Sequence, residues 1–401
     1  MSALNRVDDE KSDVKERRRD DYRVGIVCAL GVEEAAVTAM LDSTHLELPG
    51  LPSDDNFYRF GTMSGHDVVV TCLPAGVIGK VESTRIANNM RHSFPAVEIV
   101  LMVGVGGGVP SRKHDIRLGD IVVSQPEGSH PGLVEWDAGK AGAGGFVRRG
   151  SLNRPNRIIL HCLQQVQGKH TAEDNVLNEH ISGLRKRQPH LEPAGCKAPD
   201  PQLDILFSPE YVHPNEYPSC HHCDKRFIVE RMPRVSSRPF IFYGNIGSGD
   251  QVVKDAVVRD NIARQYDLLC FEMEAVGIAN AFESNYLVIR GICDYADSHK
   301  NKIWQPWAAM RAAWYAKEFL CVFKPARTTR PVPDTVNDSF LSTTNNYSPL
   351  MAKMNGGLKR SEGTCQWIFQ DENYQSWCEQ GGLLWLSGKP GAGKSTLMKA
   401  L

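Results

Sequence analysis

Short, continuously apolar runs alternate with helical patterns along most of the chain. The runs at 24–30, 67–74, 98–104 and 119–125 are rich in β-branched residues. Runs of this kind are typical of strands buried on both faces, and their alternation with helices is typical of an α/β layer fold. Residues 305–323 have the pattern of an amphipathic helix, which closes the first domain at 22–323.

The remaining segments differ in composition. Residues 1–21 are polar and highly charged, so we expect a disordered lead-in. Pro, Thr, Ser and Asn dominate 324–362, which predicts a flexible linker. Apolar patterning returns at 363–401, which we interpret as the N-terminal fragment of a second domain.

Composition excludes several classes of protein. The 401 residues include 46 Lys and Arg against 47 Asp and Glu, so we expect neither nucleic acid nor a membrane as partner. No apolar run reaches the ~20 residues that span a bilayer. The 11 cysteines lie mostly in apolar runs, which is typical of thiols in a reducing compartment, and we expect a cytoplasmic protein.

The most specific short motif runs from Gly388 through Gly393, Lys394 and Ser395 to Thr396. It matches G-x-x-x-x-G-K-[ST] between a strand-like and a helix-like stretch. In such a loop backbone N–H groups surround phosphates, the lysine reaches the β- and γ-phosphates, and the serine ligates Mg²⁺. Only five residues follow Thr396 in the sequence, so we expect Mg-ATP chemistry only in a complete NTPase domain.

A second set of candidate residues is spread over the first domain. Glu272 and Glu274 stand at a strand-to-helix passage, and Asp294 and Asp297 follow a buried strand. Carboxyl ends of strands are where open α/β sheets bind ligands. The glycine cluster at 104–108 follows another strand, where missing side chains let a ligand approach the backbone. Each acid alone could be a helix-terminal charge or a turn residue, but together they indicate a site.

These motifs resemble the purine nucleoside phosphorylase and uridine phosphorylase superfamily, most closely the nucleosidase-like domain of fungal proteins. The matching motifs occur in the family's order: CALxxE (28–33), GVIGK (76–80), VGVGGGVP (103–110), GDIVVSQP (119–126), GSGDQVVKD (247–255), FEMEA (271–275) and RGICDYADSHKNKxWQPWAA (290–309). The resemblance implies a three-layer α/β/α domain with a mixed central sheet. Residues 363–401 resemble the start of a NACHT-like or nephrocystin-type P-loop NTPase, a pairing similar to fungal NOD-like receptors.

The resemblance also implies roles for individual residues. Asp294 matches the acid that protonates N7 of a purine, and Glu33 matches the acid that activates the attacking water in nucleosidases. Glu274 matches the carboxylate that binds the ribose 2′- and 3′-hydroxyls, and Met273 the residue packed against the sugar. Three glycines lie beside the nucleophile site: Gly104, Gly106 and Gly107.

Departures from the family pattern distinguish two reactions. Phosphorylases of this superfamily hold phosphate with arginines and a Ser or Thr in the glycine loop. Here Val105 stands in place of that hydroxyl, and Met102 and Glu33 stand in place of arginines. Because a carboxylate repels phosphate, we favour water as the nucleophile.

Substrate recognition departs from the pattern as well. Family nucleosidases often stack the base on an aromatic residue at the position of Val252. The resemblance therefore implies that Val252 is a substrate-binding residue, and we expect Phe242, Tyr243 or Phe271 to hold the base. Some defence-associated relatives cleave nucleotides, ATP included, which would require cations near the 5′ position. The candidates are Lys80, Arg85, Arg112, Lys113, Arg148, Arg149 and Arg154.

One cysteine pair has the spacing of a metal site. Cys220-His221-His222-Cys223 is a C-x2-C motif, with Cys196 and His213 upstream. No second pair follows at the usual spacing, so we interpret these residues as part of a loop and predict no metal site.

We therefore expect hydrolysis of the N-glycosidic bond of a purine nucleoside or nucleotide, without cofactor or metal, by the effector domain of a signalling NTPase protein. A homo-oligomer is expected. Two alternatives are a phosphate-dependent nucleoside phosphorylase and a non-catalytic module for nucleoside sensing or assembly.

Overall fold

The computed structural model describes residues 17–172, 197–217, 219–234 and 239–324. The chain divides into two compact units, residues 1–327 and 328–401. The predicted linker beyond Lys324 lies outside the described residues. So do the P-loop residues Gly388, Gly393, Lys394, Ser395 and Thr396.

Strands and helices alternate through the described part of the first unit. The strands are β1 (Val24–Cys28), β2 (Ser43–Thr44), β3 (Tyr58–Met63), β4 (His66–Cys72), β5 (Ile99–Gly108), β6 (Ile121–Ser124), β7 (Leu133–Glu135), β8 (Gly139–Gly142), β9 (Gly145–Arg148), β10 (Ile241–Ser248), β11 (Leu268–Glu272) and β12 (Tyr286–Asp294). The α-helices are α1 (Gly31–Ala39), α2 (Lys80–Ser93), α3 (Arg157–Ala172), α4 (Ala256–Tyr266), α5 (Ala275–Phe282) and α6 (Gln305–Val322). Short 3-10 helices occur at Arg19–Asp21, Pro201–Leu203, Cys220–His222 and Lys225–Phe227.

Ten strands form one mixed sheet in the order β11-β10-β6-β12-β5-β1-β4-β3-β2, with β7 beside β10. β4, β1, β5 and β12 run parallel to one another, whereas β6 is antiparallel to β12 and β3 is antiparallel to β4. The end of β5 also pairs with β11 in the antiparallel sense, which closes β5, β12, β6, β10 and β11 into a ring. The predicted α/β fold with a mixed central sheet is confirmed.

Helices cover both faces of the sheet. Ile99, Leu101 and Val103 of β5 point into a core shared with α1, α3 and α6. Val100 and Met102 point into the opposite core, which contains α2 and α5. This two-sided burial explains why the strand is apolar at every position, and it produces the three-layer arrangement.

Helix α6 differs from the amphipathic pattern predicted for it. All residues from Trp307 to Leu320 are buried. Its polar side chains find partners inside the fold: the Lys317 ammonium donates to Met40 O at 2.8 Å, and the Arg311 guanidinium donates to Gly119 O at 2.6 Å. The polar positions therefore mark buried hydrogen bonds rather than a solvent-facing stripe. Among the described helices, none is long and apolar enough to cross a membrane.

Candidate active site

Glu33 lies in the first turn of α1, and its carboxylate is buried against β5. Oε2 accepts hydrogen bonds from the backbone N–H groups of Ala29 (2.7 Å) and Leu30 (3.0 Å), so the side chain turns back over the helix N-terminus. Oε1 accepts a hydrogen bond from the N–H of Val105 at 2.7 Å. Burial raises the pKa of the Glu33 carboxyl, while Arg290 and the three N–H donors act in the opposite direction.

Glycines in β5 let acidic side chains approach the strand backbone. A Cβ added at Gly104 would collide with the Glu33 carboxylate and the Arg290 guanidinium. A Cβ at Gly107 would lie 2.8 Å from Oδ1 of Asp294. Both contacts are shorter than van der Waals separation, so the acids occupy the space that side chains on β5 would fill.

Arg290 is a fully buried cation on β12, and the sequence motifs did not indicate it as a site residue. Its Nη2 donates to Oε2 of Glu272 and lies 3.9 Å from Oε2 of Glu274. Nη1 donates to Val105 O at 3.4 Å. Burial acts to lower the pKa of Arg290, but the carboxylates of Glu272, Glu33 and Glu274 raise it overall. The guanidinium therefore pairs with Glu272, lies near Glu274 and interacts electrostatically with Glu33.

Glu272 and Glu274 flank the start of α5. Oε2 of Glu272 accepts from the N–H groups of Glu274 (3.0 Å) and Ala275 (2.9 Å), whereas its Oε1 is buried without a hydrogen-bond partner in the described part of the chain. Burial, followed by the Glu272 carboxylate, raises the pKa of Glu274 to about 7, against the influence of Arg290. Met273, between the two acids, is partly exposed.

Asp294 is the last residue of β12 and pairs in register with Gly107. Its Oδ1 accepts a hydrogen bond from the N–H of Ala296 at 2.8 Å and lies 3.4 Å from Nζ of Lys300. The Cys293 thiol donates to Oδ2 at 3.3 Å. These contacts fix the carboxylate beside the end of the glycine strand, and Lys300 is a neighbour that motif analysis missed.

The acids form two groups along β5. Arg290 pairs with Gly104 and Asp294 pairs with Gly107 in the β5–β12 register. Three residues of strand span roughly 10 Å, which is about the length of a nucleoside with a hydrogen bond at each end. Gly106 lies between the two groups. Asp294 and the acids near Arg290 therefore lie beside the same strand, three residues apart along it.

Two of the aromatic residues proposed to hold the base, Phe242 and Tyr243, lie at a distance from the acids along β10. Phe242 and Tyr243 lie near the start of β10, five residues or more before Ser248, which pairs with Glu272. The Tyr243 hydroxyl instead contacts the Tyr315 hydroxyl at 3.3 Å. Five residues along a strand span roughly 15 Å or more, so Phe242 and Tyr243 are that far along β10 from Ser248.

Phe271 is buried, and its ring packs edge-on against Trp136, with ring centroids 6.1 Å apart. Val252, by contrast, is 48% exposed on the loop before α4. This loop begins at Gly249, whose N–H donates to Glu272 O at 3.3 Å. Val252 therefore lies three residues from a direct contact with the acid cluster, and its side chain is free to meet a ligand.

Most of the cations considered for the 5′ position are engaged elsewhere. Lys80 forms ion pairs with Glu135 (2.9 Å), Asp137 (2.8 Å) and Asp250 (3.4 Å). Arg85 pairs with Glu82 and Asp55, Lys113 pairs with Glu127, and Arg148 lies over the Tyr266 ring. A nucleotide phosphate would have to compete with these acids for Lys80 or Arg85.

A cavity of about 790 Å³ is lined by residues of α4 and of the loop after β5. Its walls include Arg112, His114, Arg231 and Arg259, and they do not include Glu33, Glu272, Glu274 or Asp294. Because catalysis requires reacting groups within hydrogen-bond reach, we place the candidate site at the acid cluster and not in this cavity.

Two parts of the chain match known families. Residues 23–320 match the phosphorylase superfamily. The chain belongs to this superfamily. Residues 363–401 match the N-terminal region of nephrocystin 3. Both resemblances inferred from the motifs are thus confirmed.

Two relatives extend this picture. A nucleotide-binding leucine-rich repeat (NLR)-like protein of Hyaloscypha variabilis is 40% identical over 312 residues, which are 76% of this chain and 30% of that protein. The ATP nucleosidase Cap17 of Escherichia coli is 24% identical over 302 residues, 74% of this chain and 50% of the relative. The chain therefore spans at most half the length of these relatives.

Two solved enzyme structures are among those similar to this chain. Futalosine hydrolase of Helicobacter pylori matches with a TM-score of 0.47 and 19% identity, covering 75% of this chain and 97% of that one. The 5′-methylthioadenosine/S-adenosylhomocysteine nucleosidase from S. pneumoniae matches with a TM-score of 0.48 and 19% identity, covering 75% and 100%.

Proposed function

We propose that the phosphorylase-superfamily domain hydrolyses the N-glycosidic bond of a purine nucleoside or nucleotide. The observation that carries this proposal is the position of Glu33, whose Oε1 accepts the Val105 N–H on the glycine strand. In a phosphorylase this strand binds phosphate, and a buried carboxylate at the same place would repel it. The nearby cation, Arg290, is already paired with Glu272.

Glu33 has the properties required to activate water. A carboxylate offers about four lone-pair positions, and three of those on Glu33 accept backbone N–H groups, so one position is left for a water O–H. Because burial raises the pKa of Glu33, it can hold the proton that water loses. The backbone bonds fix its orientation before a substrate arrives.

Asp294 would complete the reaction at the other end of the substrate. As the C1′–N9 bond breaks, its electron pair moves into the purine, and Asp294 delivers a proton to N7. Water attacks C1′ of the oxocarbenium-like sugar and loses a proton to Glu33. The products are the free base and ribose or its 5′-phosphorylated form, so protons and electrons balance without a metal.

Glu274 and Met273 would bind the sugar. With a pKa raised to about 7, Glu274 carries a full carboxylate only above neutral pH, where it accepts hydrogen bonds from the 2′- and 3′-hydroxyls. Oε1 of Glu272, which has no hydrogen-bond partner among the residues that the structure describes, supplies a further acceptor beside it. Gly104, Gly106 and Gly107 would lie beside the sugar, where their missing side chains make room for Glu33, Arg290 and Asp294.

The setting of the domain suggests an effector. Residues 363–401 match the nephrocystin 3 N-terminal family, and one relative is named as NLR-like. We infer that nucleoside cleavage is the output of a signalling NTPase protein, with Mg-ATP bound by the complete NTPase domain. The relative named ATP nucleosidase supports a nucleotide as substrate. A homo-oligomer is part of the proposal, and light scattering on the purified chain tests it.

Chromatographic product analysis tests the proposed activity. Purified protein is given adenosine, inosine, methylthioadenosine, AMP and ATP, each with and without phosphate. We expect release of free base without phosphate, and loss of that release in Glu33→Gln and Asp294→Asn. The matched control is Glu47→Gln, the same change at an exposed acid. Binding without base release from any substrate would contradict the proposal and support the non-catalytic module.

A further inference from the structure

Three potential metal ligands converge in the inserted segment, by which we mean the described residues 197–217 and 219–234 between α3 and β10. The ligand atoms of His213, Cys220 and Cys223 all lie within 4.8 Å of one another. The 3-10 helix at Cys220–His222 produces this convergence, because the Cys223 N–H donates to Cys220 O at 3.2 Å and turns both thiols to one side. Both cysteines are free thiols.

The donor set suits zinc. In a tetrahedral site with Zn–S near 2.3 Å and Zn–N near 2.1 Å, ligand atoms lie about 3.5–3.8 Å apart, so small side-chain rotations bring these three atoms onto one ion. Two thiolates and an imidazole select zinc over magnesium or calcium, which prefer oxygen ligands. No second cysteine pair follows Cys223 in the sequence, but His213, seven residues upstream of Cys220, lies beside the two thiols as a third ligand.

The cluster is built into the fold rather than lying loose on the surface. Cys223 is 5% exposed. The Cys220 thiol contacts His299 O at 3.8 Å, and the His213 N–H donates to the Ser298 hydroxyl at 2.9 Å. Nε2 of His299 is buried without a hydrogen-bond partner among the described residues, and its ring lies 5.4 Å from that of His213. The His299 imidazole is therefore a nearby nitrogen donor for the fourth coordination position of a metal ion.

These contacts link the cluster to the loop that follows β12. Ser298 and His299 belong to that loop, which begins at Asp294 and contains Lys300, its ion-pair partner at 3.4 Å. On the other side, Phe207 of the inserted segment stacks on the His299 ring with centroids 4.1 Å apart. An ion held at the cluster would thus tie the inserted segment to the loop of the candidate acid.

We propose that His213, Cys220 and Cys223 bind one structural Zn²⁺ ion that fastens the inserted segment to the Asp294 loop. The proposal does not depend on the reaction that the domain catalyses. Structural zinc contributes directly to folding free energy because the unfolded chain has no preformed site. Removal of the ion should therefore loosen this segment and lower the melting temperature.

Metal analysis of the purified chain tests the proposal. The protein is reduced, exposed to zinc, dialysed and measured by inductively coupled plasma mass spectrometry. We expect about one zinc per chain in the wild type and roughly a tenth of that in Cys220→Ser and Cys223→Ser. Cys321→Ser, which removes an exposed thiol, serves as the matched control and should retain the metal. A chelator should lower the melting temperature of the wild type and of this control.

A second measurement needs no variant. Co²⁺ added to the reduced wild-type chain should give a thiolate-to-metal charge-transfer band and the visible bands of tetrahedral coordination. No bound zinc together with no such spectrum would overturn the proposal. The proposal would also be overturned if Cys220 and Cys223 formed a disulfide in the unreduced protein and bound no metal after reduction. Equal zinc in the wild type and Cys220→Ser would also overturn it.

Discussion

Gly107→Ala should inactivate the domain through Asp294. The added Cβ would lie 2.8 Å from Asp294 Oδ1 and 2.8 Å from Ala296 Cβ, whereas ordinary carbon contacts are about 3.5–4.0 Å. The carboxylate must therefore move by roughly 1 Å. A displacement of that size can reduce a rate about 100-fold, so we expect kcat/KM to fall by about that factor, or ~2.7 kcal/mol. Overpacking should also cost about 1–3 kcal/mol of stability.

The assay measures base release together with the melting temperature, so that unfolding is separated from misplacement. Gly142→Ala is the matched control, because a Cβ there meets nothing within 4 Å. In an Asp294→Asn background, Gly107→Ala should reduce the rate little further, since both changes act on one carboxylate. Equal activity of Gly107→Ala and Gly142→Ala would refute the role of Asp294, and additive losses in the double variant would show that the glycine acts elsewhere.

Three other changes test the remaining parts of the site. Arg290→Met leaves the Glu272 and Glu274 carboxylates unpaired, and denaturant titration should show a loss of about 3–5 kcal/mol; a loss near zero would contradict the role assigned to the cation. Because the pKa of Glu274 rises from 4.5 to about 7 on folding, the folded chain binds the extra proton, and the free energy of unfolding should fall as pH rises through that interval. Glu274→Gln should lose this contribution, which denaturant titrations across the interval measure. Val252→Phe supplies a stacking ring, so KM should fall about five-fold with kcat unchanged; an unaltered KM would mean that this loop does not reach the base.

Much of the fold could be predicted from the sequence because burial leaves a local mark. The continuous apolar run of β5 follows from cores on both of its faces, and the glycines at its end mark the close approach of Glu33 and Asp294. The sequence predicted the position of helix α6 but not its burial. Lys317 and Arg311 donate hydrogen bonds to buried partners that are far away in sequence, so the helix pattern does not reveal them.

The electrostatic centre of the site was harder to predict. Arg290 interrupts an apolar strand, and a charge in such a position signals a buried partner. Which acid it meets depends on the register of β5, β11 and β12, which is a tertiary property. Phe242 and Tyr243 illustrate the same limitation, because their separation from the acids depends on how β10 pairs with β11.

The zinc cluster shows the same limitation. C-x2-C spacing was visible, but the proximity of His213 arises from a turn and from packing against Ser298 and His299. Spacing rules recognise paired motifs and do not detect a third ligand supplied by tertiary contact.

Identification of the sugar product tests the central claim, that water and not phosphate attacks the glycosidic bond. The substrate found by base release is incubated at saturating phosphate with the wild type and with Glu33→Gln, and the sugar is identified by mass spectrometry. We predict unphosphorylated C1, that is ribose or its 5′-phosphates, from the wild type and almost no turnover by Glu33→Gln. A ribose 1-phosphate product would contradict the account and would mean that Glu33 and Val105 belong to a phosphate site.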